Sequence, residues 1–302
     1  MLSFKSRSSK AVLDAEIVGN WTIADPPIIA LGSSLVVFRV FKAPFSNDLF
    51  AMKAEVDMPT CRIGCEANLL RRLNSINCRT QHPPFMWLRC SRVYISASVP
   101  TVIDFETVSL GGLLVMFHVC SMLGDTLHRG VKDNNGMPLK DVYKVGHDIV
   151  RPFFLYISFA HVAQLQMLKA IHSDDLCYND LKPANILWHL SAQAWGLVDF
   201  DCSSAPFEKI DMFEGTPMFA SSRALERGGW KMEDDFEGLL RVLVWCIKGE
   251  LPWQSLVSSS KAFKKDSQRY NDYYRRRLPF IAELALPDKL DKFCARIEKD
   301  RG

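Results

Sequence analysis

The stretch Tyr178-Asn179-Asp180-Leu181-Lys182-Pro183-Ala184-Asn185-Ile186-Leu187, with Val198-Asp199-Phe200-Asp201 placing Asp199 fourteen residues after Asn185, decides how this chain is read. Phosphoryl transfer asks a protein for positioning and charge rather than covalent help. It needs divalent ions, a carboxylate near the attacking hydroxyl and a cation at the phosphates. Asp180 supplies a carboxylate that can accept the hydroxyl hydrogen and orient the nucleophile. Lys182, two residues on, can reach the transferring phosphate. Asn185 and Asp199 are hard oxygen donors of the kind that Mg²⁺ takes.

Outward from this segment the chain has two textures. Residues 1–16 read as a flexible N-terminal tail rich in Ser, Lys and Arg. From Trp21 to Val40, β-branched and aromatic residues alternate, with breaks at Pro26-Pro27 and Gly32, which predicts two strands and a turn. Leu49 to Ala54, Tyr94 to Ala97, Val102 to Phe105 and Leu113 to Val119 are further strand candidates. Glu66 to Leu73 has helical spacing, with Leu69, Leu70 and Leu73 on one face. After Gly124 the pattern turns helical. Val142 to His172 forms one long helical region, with a start or break at Pro152. Asp234 to Lys248 forms another, closed by Gly249. Leu176 to Asp201 reads as loop and short strands.

Composition bounds the function classes. The chain has 302 residues, 48% hydrophobic and 24% charged, with a formal net charge of +3, which is ordinary for a globular protein and too mild to argue for nucleic acid. Nine cysteines, scattered without a framework, read as reduced thiols. Cys61 and Cys65 lack a partner pair at zinc-site spacing. The first ten residues lack the apolar run of a signal peptide, and Gly111 to Gly124 is too short to span a bilayer.

The D-x-K-P-x-N run with a following D-F resembles the catalytic and metal-binding loops of eukaryotic protein kinases. The resemblance implies an α+β, bilobal fold: a small antiparallel β-rich N-terminal lobe with one helix (about 17–123) and a larger, mainly helical C-terminal lobe (about 124–302), together one kinase domain over 17–302. It implies ATP and Mg²⁺ as cofactors, with Asp180, Lys182 and Thr216 catalytic and Asn185 and Asp199 holding metal. Phe50-Ala51-Met52-Lys53 resembles the strand carrying the ATP-anchoring lysine, and Glu66 lies where its partner glutamate is expected. Leu31-Gly32-Ser33-Ser34-Leu35-Val36-Val37 takes the place of the phosphate-covering hairpin, keeping one of its three glycines; Ser34 and bulky Val37 replace the others. Val119-Cys120-Ser121-Met122-Leu123-Gly124 resembles the inter-lobe hinge, with Cys120 behind the adenine and Ser121 and Leu123 offering backbone groups. Leu31, Gly32, Val40, Ala51 and Leu187 complete the expected ATP-binding set.

Gly215-Thr216-Pro217-Met218-Phe219-Ala220-Ser221, Asp234-Asp235-Phe236-Glu237-Gly238-Leu239 and Gly249-Glu250-Leu251-Pro252-Trp253 narrow the resemblance to the casein kinase 1 group, which includes tau-tubulin and vaccinia-related kinases. That group implies a serine/threonine kinase needing no activation-loop phosphate, acting on protein substrates. Thr216 is expected to bond near Asp180, and Asp235 to hold the catalytic-loop backbone from a central helix. The usual His-Arg before the catalytic aspartate is Tyr178-Asn179 here, so a phosphorylated loop loses its cationic partner. The usual D-F-G is Asp199-Phe200-Asp201. Met218 replaces the basic residue used for phosphate-primed substrates, while Lys261, Lys264, Lys265, Arg275, Arg276 and Arg277 offer charge for acidic ones. The reading expects a monomer, cytoplasmic or nuclear, without membrane or nucleic-acid partners. Leu278 to Gly302 resembles the start of the group's last helices, so the C-terminal lobe is expected to be short. A second reading, a pseudokinase serving as a binding or scaffold module, rests on the altered hairpin, Tyr178-Asn179, Asp201 and that early stop.

Overall fold

The computed structural model describes residues 14–31, 35–42, 48–56, 62–75, 99–133, 136–150, 167–189, 194–206, 213–227 and 230–254. Gly32, Ser33, Ser34, Cys61, Tyr94 to Ala97, Pro152, the basic residues between 261 and 277 and the stretch Leu278 to Gly302 lie outside the described residues. The chain divides into two compact units, with the described residues through Leu123 in the first and those from Gly124 in the second.

The first unit is an antiparallel sheet of six strands: β1 (Ile17–Val18), β2 (Trp21–Leu31), β3 (Leu35–Phe41), β4 (Phe50–Val56), β5 (Val102–Leu110) and β6 (Leu113–Ser121), in the order β1-β2-β3-β4-β6-β5. Period-two alternation decides its faces. Val36, Phe38 and Val40 of β3, Met52 and Ala54 of β4, and Val115, Phe117 and Val119 of β6 all point one way, into a core completed by Val18 and Trp21. Burying each of the larger side chains stabilises the fold by roughly 1.5–3 kcal/mol. Trp21 keeps its indole N–H satisfied by donating to Asp104 at 2.8 Å.

The prolines predicted to break the first strand do not end it. β2 continues through Pro26-Pro27, which fall in the register shift between Ile23↔Val40 and Ile28↔Phe38. A residue without an N–H is tolerated there because no ladder bond is asked of it.

Helix α1 (Arg62–Ser75) packs on β4, β5 and β6. Ile63, Ala67, Leu70 and Leu73 form its buried stripe. Glu66 lies in that same stripe, in the helix's second turn rather than at its start, so a carboxylate is carried under the sheet and requires a partner.

The second unit holds α2 (Leu127–Asp133), α3 (Leu139–Val150), α4 (Met167–Ser173), a 3₁₀ turn (Pro183–Asn185), the hairpin β7 (Ile186–His189) and β8 (Ala194–Leu197), α5 (Ser222–Arg227) and α6 (Met232–Lys248). The expected α+β architecture, antiparallel sheet first and helices after, is therefore observed. α6 is the spine of this unit: Leu239, Val242, Leu243, Val244, Trp245 and Cys246 are buried nearly all round. Asp234 caps its start by accepting the Lys231 N–H at 2.7 Å. Gly249 ends it in the left-handed region (φ 73°) while donating to the Trp245 carbonyl at 2.8 Å. Among the described residues no helix is long and apolar enough to cross a membrane.

Candidate active site

In the first unit, β4 pairs with β3 and β6 in a register that sets Val37 and His118 opposite Lys53, and Arg39 and Cys120 opposite Ala51. Directly opposed residues share a face. Val37, Arg39, Ala51, Lys53, His118 and Cys120 therefore line the face on which α1 packs. Lys53 Nζ meets Glu66 Oε2 at 2.7 Å, and the Glu66 side chain is 2% exposed. His118 Nε2 stands 3.5 Å from the same oxygen. Burial pushes the Glu66 carboxyl upward, but the Lys53 charge and the His118 contact overcome it and hold the group well below the usual carboxylate range.

One expectation changes here. Val40 was expected beside the nucleotide, but alternation turns it to the opposite face, fully buried with Phe38 and Met52. Arg39 takes the position on the Lys53 side. The Ser121 N–H is engaged by the Thr101 carbonyl at 3.0 Å, and the Ser121 hydroxyl accepts from the Thr101 N–H at 3.0 Å. A ligand at this strand end must use backbone groups other than that N–H. Leu31 pairs with Val36 at the end of β2, Leu123 is half-buried and Gly32 lies outside the described residues.

In the second unit, the β7–β8 hairpin explains the spacing between Asn185 and Asp199. Ile186 pairs with Leu197, and the Val198 N–H donates to the Asn185 carbonyl at 3.0 Å. The chain thus folds back and sets Asp199 beside the Asp180 to Asn185 segment. Leu187 lies on β7, half-buried, opposite Gly196. Asp199 holds a positive φ of 64° and Asn179 one of 71°, a conformation that Asn and Asp tolerate better than most residues.

Asp180 is 5% exposed, and its carboxylate is gripped by three donors. Thr216 Oγ1 donates to Oδ1 at 2.6 Å. Lys182 Nζ lies 2.5 Å from Oδ2. Asn185 Nδ2 donates to the Asp180 carbonyl at 3.1 Å and to Oδ2 at 3.2 Å. With its amide nitrogen turned to Asp180, Asn185 has its carbonyl oxygen to offer a cation. Burial alone pushes the Lys182 amine down, but Asp180 and then Asp199 carry it above its ordinary value, so it is a cation at neutral pH.

Buried groups behind the site hold this loop. Asp235, 2% exposed, accepts the backbone N–H groups of Tyr178 at 2.7 Å and Asn179 at 2.8 Å and contacts His172 Nε2 at 2.9 Å. Tyr178 is fully buried, edge-on to Phe200 with ring centroids 5.1 Å apart, and its hydroxyl donates to the Val198 carbonyl. The Thr216 segment is fixed from α6 and beyond. Trp253 Nε1 donates to the Met218 carbonyl at 2.9 Å, and Ser221 Oγ donates to Asp234 Oδ1 at 2.6 Å. Asp234 also pairs with Arg223, and Glu237 with Arg241.

Sequence reasoning missed His118, Arg39 and the contacts of Asn179. The available signal for His118 was a single basic residue in an otherwise apolar strand, two positions before Cys120 and hence on its face.

Strand order, the helix α1 and the helical second unit define a protein-kinase-like fold. No protein-family model matches this chain, whereas individual proteins match part of it. A casein kinase 1-like protein of Oryza sativa subsp. japonica is 31% identical over 118 residues, 34% of this chain and 16% of that protein. A probable casein kinase I homolog of Encephalitozoon cuniculi is 25% identical over 134 residues, 41% of this chain and 43% of that protein. Casein kinase I homolog 2 of Saccharomyces cerevisiae is 24% identical over 139 residues, 41% of this chain and 24% of that protein. The chain spans less than half the length of each relative. These relatives support a kinase of the casein kinase 1 group, the group whose motifs the sequence resembles.

Proposed function

We propose that this protein is a serine/threonine protein kinase using Mg·ATP. The observation that carries the reading is the Asp180 carboxylate, fixed at once by Thr216, Lys182 and Asn185. A carboxylate so held can accept the hydrogen of a substrate hydroxyl without having to be ordered first. Lys182 supplies positive charge where the transferring phosphoryl group gains negative charge. Asn185 and Asp199 fit a hard divalent cation: both are oxygen donors, and the hairpin brings them to the same loop. Bound there, the cation would neutralise phosphate charge. In the first unit, Lys53, oriented by Glu66, is the cation for the remaining phosphates.

One observation favours a second reading, a pseudokinase that serves as a binding or scaffold module without transfer. Val37 stands where the kinase pattern has a glycine, and it shares the face of Lys53. Its β-branched side chain restricts how closely backbone N–H groups approach a phosphate.

The test is transfer of labelled phosphate from Mg·ATP to casein by the wild type and by Asp180→Asn. Label with the wild type alone establishes the kinase. A Mg·ATP-dependent rise in melting temperature without label, across a panel of acidic and basic protein substrates, establishes the scaffold. Neither label nor a melting shift in the folded protein overturns the kinase reading and favours the scaffold.

A further inference from the structure

We propose that His118 is a positioning residue for the nucleotide-anchoring pair: it holds Glu66, and with it helix α1, against the sheet independently of Lys53. The inference rests on reading Lys53 and Glu66 as that pair.

β6 reads Leu-Leu-Val-Met-Phe-His-Val-Cys-Ser, and its one basic side chain is 3% exposed. A buried imidazole costs stability unless its ring nitrogens are engaged. Here each has one polar neighbour, and that of Nε2 is an ion-pair contact at the outer edge of hydrogen-bond reach. Nδ1 is 3.5 Å from Cys120 Sγ and Nε2 is 3.5 Å from Glu66 Oε2.

In a neutral ring one nitrogen donates and the other accepts. A carboxylate only accepts, so the proton sits on Nε2, facing Glu66. Nδ1 is then the acceptor, and the Cys120 thiol is its donor. Burial, then the Glu66 charge, pushes that thiol up to about 12, so its hydrogen stays in place. The neighbours thus fix the tautomer, and the order runs from the Cys120 S–H to His118 Nδ1 and from His118 Nε2–H to Glu66.

Glu66 Oε2 consequently has two partners of different character. Lys53 sits on a flexible stem, 13% exposed, and in the proposed function its ammonium also serves phosphate. His118 is on a strand paired on both sides, with β4 and with β5, and its ring has nowhere else to go. When Lys53 turns to phosphate, the imidazole still faces the buried carboxylate. Glu66 then keeps one polar neighbour on the sheet, and the helix that carries it stays in place.

Two substitutions separate this role from simple packing. Glutamine sets an amide nitrogen near the place of the imidazole Nε2 and keeps a donor for Glu66. Asparagine sets it near the place of Nδ1 and leaves Glu66 without that donor. Hydrogen exchange of the Arg62–Ser75 amides is measured without nucleotide, with the melting temperature as a control. His118→Asn is expected to speed exchange in α1 by about fivefold or more, and His118→Gln to stay near wild type. The dissociation constant for Mg·ATP is expected to follow the same order. Equal exchange in the two variants overturns the proposal. So does nitrogen NMR showing the wild-type ring protonated on Nδ1 and not Nε2, a result that needs neither variant to fold. Wild type that binds no Mg·ATP while the exchange rates still split would remove the kinase reading and leave the His118–Glu66 link standing.

Discussion

Asn179 donates its side-chain amide to the Cys202 carbonyl at 2.7 Å and to Ser204 Oγ at 2.8 Å, joining the residue before Asp180 to the segment that follows Asp199-Phe200-Asp201. The kinase pattern has an arginine at this position, and that arginine's usual partner is a phosphate on the activation loop. Here a neutral amide makes the bridge directly. The left-handed backbone of Asn179 suits asparagine and costs alanine more. Asn179→Ala loses both bonds and strains the turn, and should destabilise the protein by roughly 2–3 kcal/mol in urea unfolding. Phosphatase-treated wild type should transfer phosphate as fast as untreated protein. A strong loss after phosphatase treatment would show that the amide does not replace a phosphate.

Asp235 bonds two consecutive backbone N–H groups from another part of the chain. Asparagine there retains one acceptor oxygen and turns an NH₂ group toward a backbone N–H or toward His172. Asp235→Asn should therefore cost roughly 2–4 kcal/mol, because a buried donor is left facing a donor. Thermal unfolding reads the loss. A variant within about 0.5 kcal/mol of wild type would mean that the buried network rearranges without cost.

The legible parts of this molecule are those where spacing is set by rigid geometry. Asp180, Lys182 and Asn185 lie within one turn, and a short hairpin fixes the distance to Asp199, so their grouping follows from the sequence. Lys53 and Glu66 were legible for the same reason, one on a strand and the other on the helix after it. α6 announced itself by an apolar run and by the glycine that ends it. What was not legible depends on which way a side chain faces. Val40 and Arg39 are neighbours, and a one-residue difference exchanges core for site. Pro26-Pro27 reads as a break until the register shift around it is seen. His118 reads as an interruption in an apolar strand until Glu66 is known to lie beneath it. The positive φ of Asn179 and Asp199 leaves no periodic trace, since both residue types are also common in ordinary loops.

Gly215 has a φ of 112°, and a Cβ built on it would lie 2.7 Å from the Asn179 carbonyl oxygen. Backbone does not yield as the tip of a side chain does. Gly215→Ala should destabilise by about 1–3 kcal/mol and move Thr216 away from Asp180, lowering kcat more than it raises KM for ATP. Thr216→Ser keeps the hydroxyl and should stay close to wild type. Equal kcat for Gly215→Ala and wild type would separate the close approach at Gly215 from the Thr216–Asp180 bond.

Cysteine reactivity follows from burial. The Cys120, Cys177, Cys202 and Cys246 thiols are all pushed up to about 12, in each case by burial first. Cys202 has the added negative charges of Asp180 and Asp199 beside it. Only the thiolate attacks an alkylating agent, so these four should resist iodoacetamide at about pH 8 in the folded protein. Cys65, exposed on α1, should react first among these five. Peptide mass mapping after a short pulse distinguishes them. Labelling of Cys202 as fast as Cys65 would show that its segment opens readily.

Glu66 makes stability depend on pH in a definite direction. Its carboxyl is held below its ordinary value of 4.5 in the folded protein. A group whose pKa falls on folding stabilises the fold at pH values above its unfolded pKa. That contribution fades as pH drops below 4.5 toward the folded value. It amounts to about 1.4 kcal/mol for every pH unit separating the folded and unfolded values. Glu66→Gln should be the less stable protein at neutral pH, because Lys53 loses its counter-charge inside the first unit. Between about pH 6 and pH 3.5 its melting temperature should then fall less steeply than that of wild type. Parallel curves for the two proteins would mean that Glu66 titrates alike in the folded and unfolded chains, and that Lys53 and His118 do not hold its charge.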